Sequence, residues 1–297
     1  MPLPNSGQVS LDDIATEFGG DQPHQLSEYH GEGNSAASGE IQVSEFHGAS
    51  AEYEIQALLV GGGGGGGGNR TGSNRRGPFP AGGGGAGGVR LGNIISVSGG
   101  DTYAVVVGSQ GNSNGIRGNG NNGGTSSFGG VNATGGGRGG SIQNEPGDGG
   151  SGGGGCFEGN SRQSPGNGIS GQGHEGGNAD RSSSRRNNAG MEGGGGGGKG
   201  NEGSNSEPGN GAVISGWDSF GTMGTGGHGQ CCNENSPRGN DGADQAGGGG
   251  GFGAHGGNGV VIVRYSGNTQ KGTGGNSVNF ADGYVYHKFS SSGNFVA

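Results

Sequence analysis

Apolar positions along this chain come in short bursts separated by long polar and glycine-rich intervals. "YEIQALLV" (53–60) and "GVVIVRY" (259–265) enter and leave the glycine-rich stretch. Each is a run of β-branched and aliphatic residues of strand length, bounded by glycine, so each is expected to be a β-strand. "NIISVSGGDTYAVVVG" (93–108) places two β-branched runs on either side of "SGGDT" and reads as a β-hairpin. The two strands and the hairpin are expected to pair in one small sheet. Near the C-terminus, "SVNFADGYVYHKFSSSGNFVA" alternates apolar positions (Tyr284, Tyr286, then Phe289) with turns at "ADG" and "SSG", the pattern of a compact antiparallel module over 266–297.

The first 50 residues follow another rule. "VSLDDIATEFGG", "LSEYHGEG" and "IQVSEFHGAS" repeat an apolar residue, a Ser or near neighbour, an acid, an aromatic and a glycine. Ser10 is placed to cap a short helix with Asp12 and Asp13 in its first turn and Gly19 at its end. The other two repeats read as single turns that drop Tyr29 and Phe46, beside Phe18 of the first, into a small cluster. Units of this size bury little alone, so residues 1–50 are expected to be a docking module, or failing that a self-packed cap.

Composition changes the reading of everything between. Glycine accounts for 88 of 297 residues, and 75 of these lie between positions 61 and 259. The spacing is irregular, which excludes a collagen triple helix. Leu, Ile, Val and Phe make up about 14% of the chain, below the rough 20% level at which an ordinary core becomes doubtful. Net charge is only −9, too mild to force the chain open. Single large residues (Phe128, Phe157, Trp217, Phe252) interrupt the glycine runs, which a plain linker would not need. The ordered solution is polyglycine II, with three residues per turn and about 3.1 Å rise per residue. Without a Cβ, such helices approach closely and bond laterally. Irregular glycine loops on a β base and a flexible linker are the alternatives. The expected fold class is therefore mostly β and irregular: a small antiparallel β base, a glycine-rich body (51–265), short N-terminal helical turns (1–50) and a C-terminal β module (266–297).

Few motifs carry chemistry. Glycine signatures match by chance in such a chain. "GGGGGGKG" (193–200) resembles a phosphate loop up to Lys199, but Gly200 stands where the magnesium-binding Ser or Thr is required. The cluster of His228 with Cys231 and Cys232 has poor spacing for a zinc site, and no acid–base or nucleophile constellation stands out. Neither an enzyme, a cofactor nor a metal is expected. Reduced thiols are the plain expectation for Cys156, Cys231 and Cys232, with a vicinal or intermolecular bridge as the alternative. The acidic balance argues against nucleic acid. Two arginine clusters, "NRTGSNRRG" (69–77) and "DRSSSRRNN" (180–188), serve solubility or contact anionic groups through guanidinium forks.

"SGQVSLDDIATEFGG…LSEYHG…SGEIQVSEFHGAS", "ALLVGGGGGGG…DTYAVVVGSQG…GGNGVVIVRY" and "TGG…GYVYHKFSSSGNFVA" together resemble glycine-rich tail-fibre and tip-adhesin proteins of tailed bacteriophages, of the marine and cyanobacterial type. The resemblance implies a structural virion protein, made in the host cytoplasm and located in the tail. Its implied partners are other virion tail proteins, two further copies of itself in a homotrimer, and a host envelope glycan or outer-membrane protein. Phe18, Tyr29 and Phe46 are then candidates for docking to the virion. Phe157, Trp217 and Phe220, if exposed at loop tips, would stack on sugar faces, while Arg185 and Arg186 meet acidic groups; packing is the competing role for these aromatics. A virion element without a receptor (tail hub, tube end or capsid-surface piece) is the runner-up, and an environmental glycine-rich protein such as an ice binder a distant third.

Overall fold

The computed structural model describes residues 3–68, 80–115, 118–142, 144–158, 161–181, 191–192, 196–205, 207–229 and 240–297. Its strands are β1 (Tyr53–Val60), β2 (Val89–Leu91), β3 (Ile95–Val97), β4 (Thr102–Val105), β5 (Ser126–Phe128), β6 (Val131–Ala133), β7 (Phe157–Glu158) and β8 (Ser161–Arg162). They continue with β9 (Asp180–Arg181), β10 (Met191–Glu192), β11 (Ala212–Val213), β12 (Thr222–Met223), β13 (Val260–Ser266), β14 (Ser277–Ala281), β15 (Tyr284–Phe289) and β16 (Gly293–Val296). One α-helix, α1 (Leu11–Phe18), and several 3-10 turns complete the inventory, so the chain is mostly β and irregular with small antiparallel sheets.

The largest sheet runs β14-β15-β13-β1-β2, with β3 also on β1. As expected, β1 and β13 are antiparallel neighbours, Val60 opposite Val260 and Gln56 opposite Arg264. Both faces of this pair are covered where the apolar stretches "ALLV" (57–60) and "VVIV" (260–263) meet, which explains why neither alternates with polar residues. Ile55, Ala57, Leu59, Val261, Val263 and Tyr265 face one core with Val285, Phe289, Phe128 and Phe295. Leu58, Val60, Val260 and Ile262 face a second core with Val89, Trp217, Met223 and Tyr286.

The hairpin expected over 93–108 does not form. Its turn exists, with Asp101 N–H donating to the Ser98 carbonyl at 3.1 Å, but its two arms go to different partners. β3 lies along the first half of β1, Ile95 opposite Ile55, beyond β2, which occupies the second half. β4 pairs instead with the last strand, β16. The eight residues of β1 offer room for two short neighbours end to end, and β4 buries Val105 in the first core by turning away. The C-terminal strands likewise continue the main sheet: β15 pairs with β13 from Val261–Phe289 to Ser266–Tyr284, so the boundary expected at 265/266 falls inside a continuous sheet.

The glycine body is a lattice whose hydrogen bonds repeat every third residue. In the run 61–68, Gly61, Gly64 and Gly67 donate to the carbonyls of Gly88, Gly85 and Gly82; Gly62 and Gly65 to Gly124 and Asn121; Gly63 and Gly66 to Gly257 and Ala254. The same run accepts from Gly136 and Gly139, from Gly111, and from Gly250 and Gly253. Six neighbouring segments thus surround it, one in each lateral direction, as three residues per turn require. All these bonds measure 2.7–2.9 Å. Because these N–H groups point sideways into other segments, they find partners without a sheet or an α-helix. A Cβ at Gly63, Gly64 or Gly66 would overlap the backbone of Gly248, Gly137 or Gly251, so these positions admit no side chain.

The N-terminal module forms as its repeats suggest. Ser10 Oγ accepts from Asp13 N–H at 3.1 Å while Asp13 Oδ2 accepts from Ser10 N–H at 2.8 Å, a reciprocal cap that starts α1. Two 3-10 turns, Leu26–Tyr29 and Val43–Phe46, bring Tyr29 and Phe46 together with Leu3, Val9 and Ile14. Phe18 and Tyr29 both meet Phe46 edge-on, at 5.9 and 6.2 Å between ring centroids. At Gly33, with φ +58°, a Cβ would stand 2.7 Å from that of Ala49, so the second repeat closes only on glycine.

Candidate binding face at the far ends of the glycine helices

Each lattice segment leaves the sheet and returns. Segment 81–88 runs back antiparallel to 61–68, and 121–124 does the same relative to 61–65. Segment 134–140 leaves alongside 61–68, with Gly136 and Gly139 bonded to Gly62 and Gly65 in parallel register. Residues 113–115 and 118–120, 141–142 and 144–146, and 156–158 and 161–163 therefore gather at the end remote from β1 and β13. The connections 125–133, 169–172 and 212–223 lie at the sheet end.

Side-chain hydrogen bonds tie the far-end turns into one row. Ser141 Oγ donates to Asn119 Oδ1 at 2.6 Å, and Gln163 Nε2 to the Ser141 carbonyl at 3.3 Å. Cys156 Sγ donates to Gln163 Oε1 at 2.9 Å, and Arg162 to the Ala179 carbonyl at 3.0 Å. The three turns carrying Asn119, Ser141 and Gln163 thus share one edge. Beside them a polar cleft of about 750 Å³ opens along the lattice flank, lined among others by Arg138, Glu145, Asp148, Arg162 and Asn167. Asp148 Oδ1 is occupied by Asn167, accepting from its backbone N–H at 2.6 Å and from Nδ2 at 3.2 Å. Arg138 Nε donates to the Glu145 carbonyl at 3.1 Å. Both arginines are held by carbonyls, and among the described residues neither is in an ion pair. Their remaining guanidinium donors are free for a ligand with carboxylate, phosphate or hydroxyl oxygens.

The aromatic candidates lie elsewhere in the packing. Trp217 is 1% exposed and belongs to the second core at the sheet end, so of its two expected roles it takes packing and not contact at a loop tip: the stretch 214–223 folds back over β13 and β15 rather than outward. Phe220 is half-buried against Trp217 and Tyr286, at 6.3 and 5.3 Å. Phe157 is at the far end but 4% exposed, packed with Ala179. It fills the lattice edge and offers no ring face. Arg185, Arg186, Cys231 and Cys232 lie outside the described residues. Tyr29 and Phe46 are closed inside the N-terminal module, with Tyr29 Oη donating to the Gly19 carbonyl at 2.9 Å. Any docking contact by that module has to use its surface, where Phe18 alone of the three keeps partial exposure.

Sequence reasoning missed Arg138 and Arg162. The signal available was weak: Arg138 is a lone cation in a glycine segment and Arg162 a lone cation in β8, both outside the two arginine clusters. Among the described residues no group of three His, Cys, Asp or Glu side chains is placed to hold a metal. His228 Nδ1 stands 3.6 Å from Glu207 Oε2, with both side chains largely exposed. No described helix is long and apolar enough to cross a membrane.

No curated protein matches this chain. Residues 35–294 match a family model described as a glycine-rich domain, a span that takes in the lattice, the main sheet and nearly all of the C-terminal strands. By that match the chain belongs to the glycine-rich domain family.

Proposed function

We propose that the chain is a tail-fibre or tip-adhesin subunit of a bacteriophage. In this reading it docks to other tail proteins through residues 1–50 and presents the far-end turns to the host envelope. The resemblance of both termini to such proteins motivates the reading. The observation that carries it is the row of cross-linked turns beside a cleft with two arginines held by carbonyls. A lattice without side chains has little surface chemistry of its own, so recognition falls to the turns that interrupt it. The ligand class is an envelope glycan or outer-membrane protein presenting anionic or hydroxyl oxygens. No chemistry on the ligand is involved; binding is non-covalent. The copies assemble as homotrimers, which multiplies weak single-site contacts into avidity.

Particles carrying Arg138→Ala with Arg162→Ala test this directly. Assembly should be normal and adsorption to the host should fall at least tenfold. Normal adsorption of intact particles, both with this pair and with turns 141–146 and 156–163 shortened to glycine, would overturn the attachment role. That outcome would leave the virion element without a receptor.

A further inference from the structure

A second groove, remote from the far-end turns, runs between the β2 edge and the lattice flank. It measures about 480 Å³ and is lined by Val89, Arg90, Leu91, Ile169, Ile214 and Lys199, among others. That volume is in the range of small-molecule sites, which are mostly apolar with a few placed polar groups. Its rim is unusually apolar for this chain: Leu91 is 43% and Ile169 41% exposed. Its charged groups are both cations, although the chain as a whole carries −9.

Lys199 is fixed at the mouth. Its backbone N–H donates to the Gly224 carbonyl at 2.7 Å, and its Nζ donates to the Gly171 carbonyl at 2.6 Å. An ammonium has three donors, and no carboxylate is in ion-pair contact with it among the described residues. Glu175, Glu202 and His174 line the adjoining groove on its other side. Burial holds the Lys199 pKa below the usual lysine value. Arg90 is exposed and, among the described residues, its side chain reaches the Asn132 carbonyl at 3.5 Å. Gln172 faces inward, its Oε1 taken by Thr134 N–H at 2.8 Å.

We propose that this groove binds an apolar molecule ending in a carboxylate, the carboxylate on Lys199 and Arg90 and the apolar part on Leu91, Ile169 and Ile214. A bare inorganic anion would leave the apolar rim in water. A neutral apolar molecule would bury the ammonium further without pairing it. Only an amphipathic anion uses both halves of the groove. The site is independent of the attachment reading, since it lies at the sheet end of the lattice and involves neither Arg138 nor Arg162.

Titration calorimetry of the full chain with decanoate, decanol and acetate tests this. Decanoate should saturate one site, with decanol and acetate at least tenfold weaker. Lys199→Gln and Leu91→Ser should each weaken decanoate at least fivefold. Arg90→Gln, at an exposed strand position, should weaken it as well and serves if Lys199→Gln fails to fold. Equal affinity for decanol and decanoate, no saturable decanoate binding, or decanoate affinity unchanged in Arg90→Gln and the folded Lys199→Gln would overturn the proposal.

Discussion

The guanidinium of Arg264 lies 4.1 Å from the ring centroid of Trp217. The Tyr284 ring is also within reach, at 4.5 Å, so one cation is shared by two rings. Arg264 also donates to the Gly216 carbonyl and, at 3.1 Å, to Gln56 Oε1. This cluster fastens the connection between β11 and β12 to the main sheet. Trp217→Ala should cost about 3–5 kcal/mol, the range for truncating a buried aromatic. Arg264→Lys should cost about 1 kcal/mol, because an ammonium keeps the charge but loses the planar stack and fork. Urea unfolding of both variants checks the order; equal losses would show that packing and not the stack holds Arg264.

The lattice makes a contrast between two glycines testable. Gly64→Ala would drive a Cβ into the Gly137 carbonyl and should remove hydrogen-exchange protection from 61–67 together with its partners 82–88. Gly293 has nothing within 4 Å of the Cβ position and needs no positive φ, so Gly293→Ala should be neutral or stabilise by about 0.4–1 kcal/mol.

Acid should loosen the sheet end through His287. Its Nδ1 faces the Gly274 carbonyl at 2.8 Å and therefore carries the proton, while Nε2 accepts from Tyr265 Oη at 3.1 Å. Tyr265 Oη in turn accepts from Lys271 and Gly272 N–H at 2.9 and 3.1 Å. Burial lowers the His287 pKa, with the Gly274 bond opposing part of the shift. The unfolded chain therefore binds this proton more readily than the folded one. The contribution is complete above the unfolded value of about 6.5 and is lost as pH falls through that value toward the folded one. Urea midpoints between pH 7.5 and 5 should fall more steeply in the parent chain than in His287→Gln. Parallel slopes would remove His287 from the account.

At the N-terminus, Ser10→Ala should cost about 0.5–2 kcal/mol, because it deletes the oxygen that accepts Asp13 N–H. Hydrogen exchange should register the loss in α1. Its spread to β1 would show that the module and the sheet unfold together.

Some of this was legible in the residues and some was not. The pairing of β1 with β13 followed from two apolar runs of matching length. The cap at Ser10 followed from local chemistry within three residues. The arms of 93–108 misled because a turn sequence fixes only the turn; which strand each arm joins depended on free edge along β1 and on β16, nearly 200 residues away. The choice between packing and exposure for Trp217 stayed open for a related reason: its partner, Arg264, sits in β13, nearly 50 residues away in the chain. The lattice was legible as a possibility but not as a map. A run of identical glycines carries no mark of which neighbour each N–H will face, and partners are chosen by the lengths of the connecting turns. Arg138 and Arg162 acquire their cleft only once those turns are folded.

The three-way rotation of the lattice bonds also governs how such a protein can change length. One residue inserted into 61–68 would turn every later N–H by a third of a revolution and aim it at the wrong neighbour. Three inserted residues would restore the directions and lengthen the segment by about 9 Å at polyglycine II rise, but leave the new turn jutting beyond its six companions. Growth of the body is thus restricted to whole triplets added to many segments together, whereas the turns between them tolerate any number. Heredity in this architecture writes its small edits in the turns and its rare large ones in the shaft.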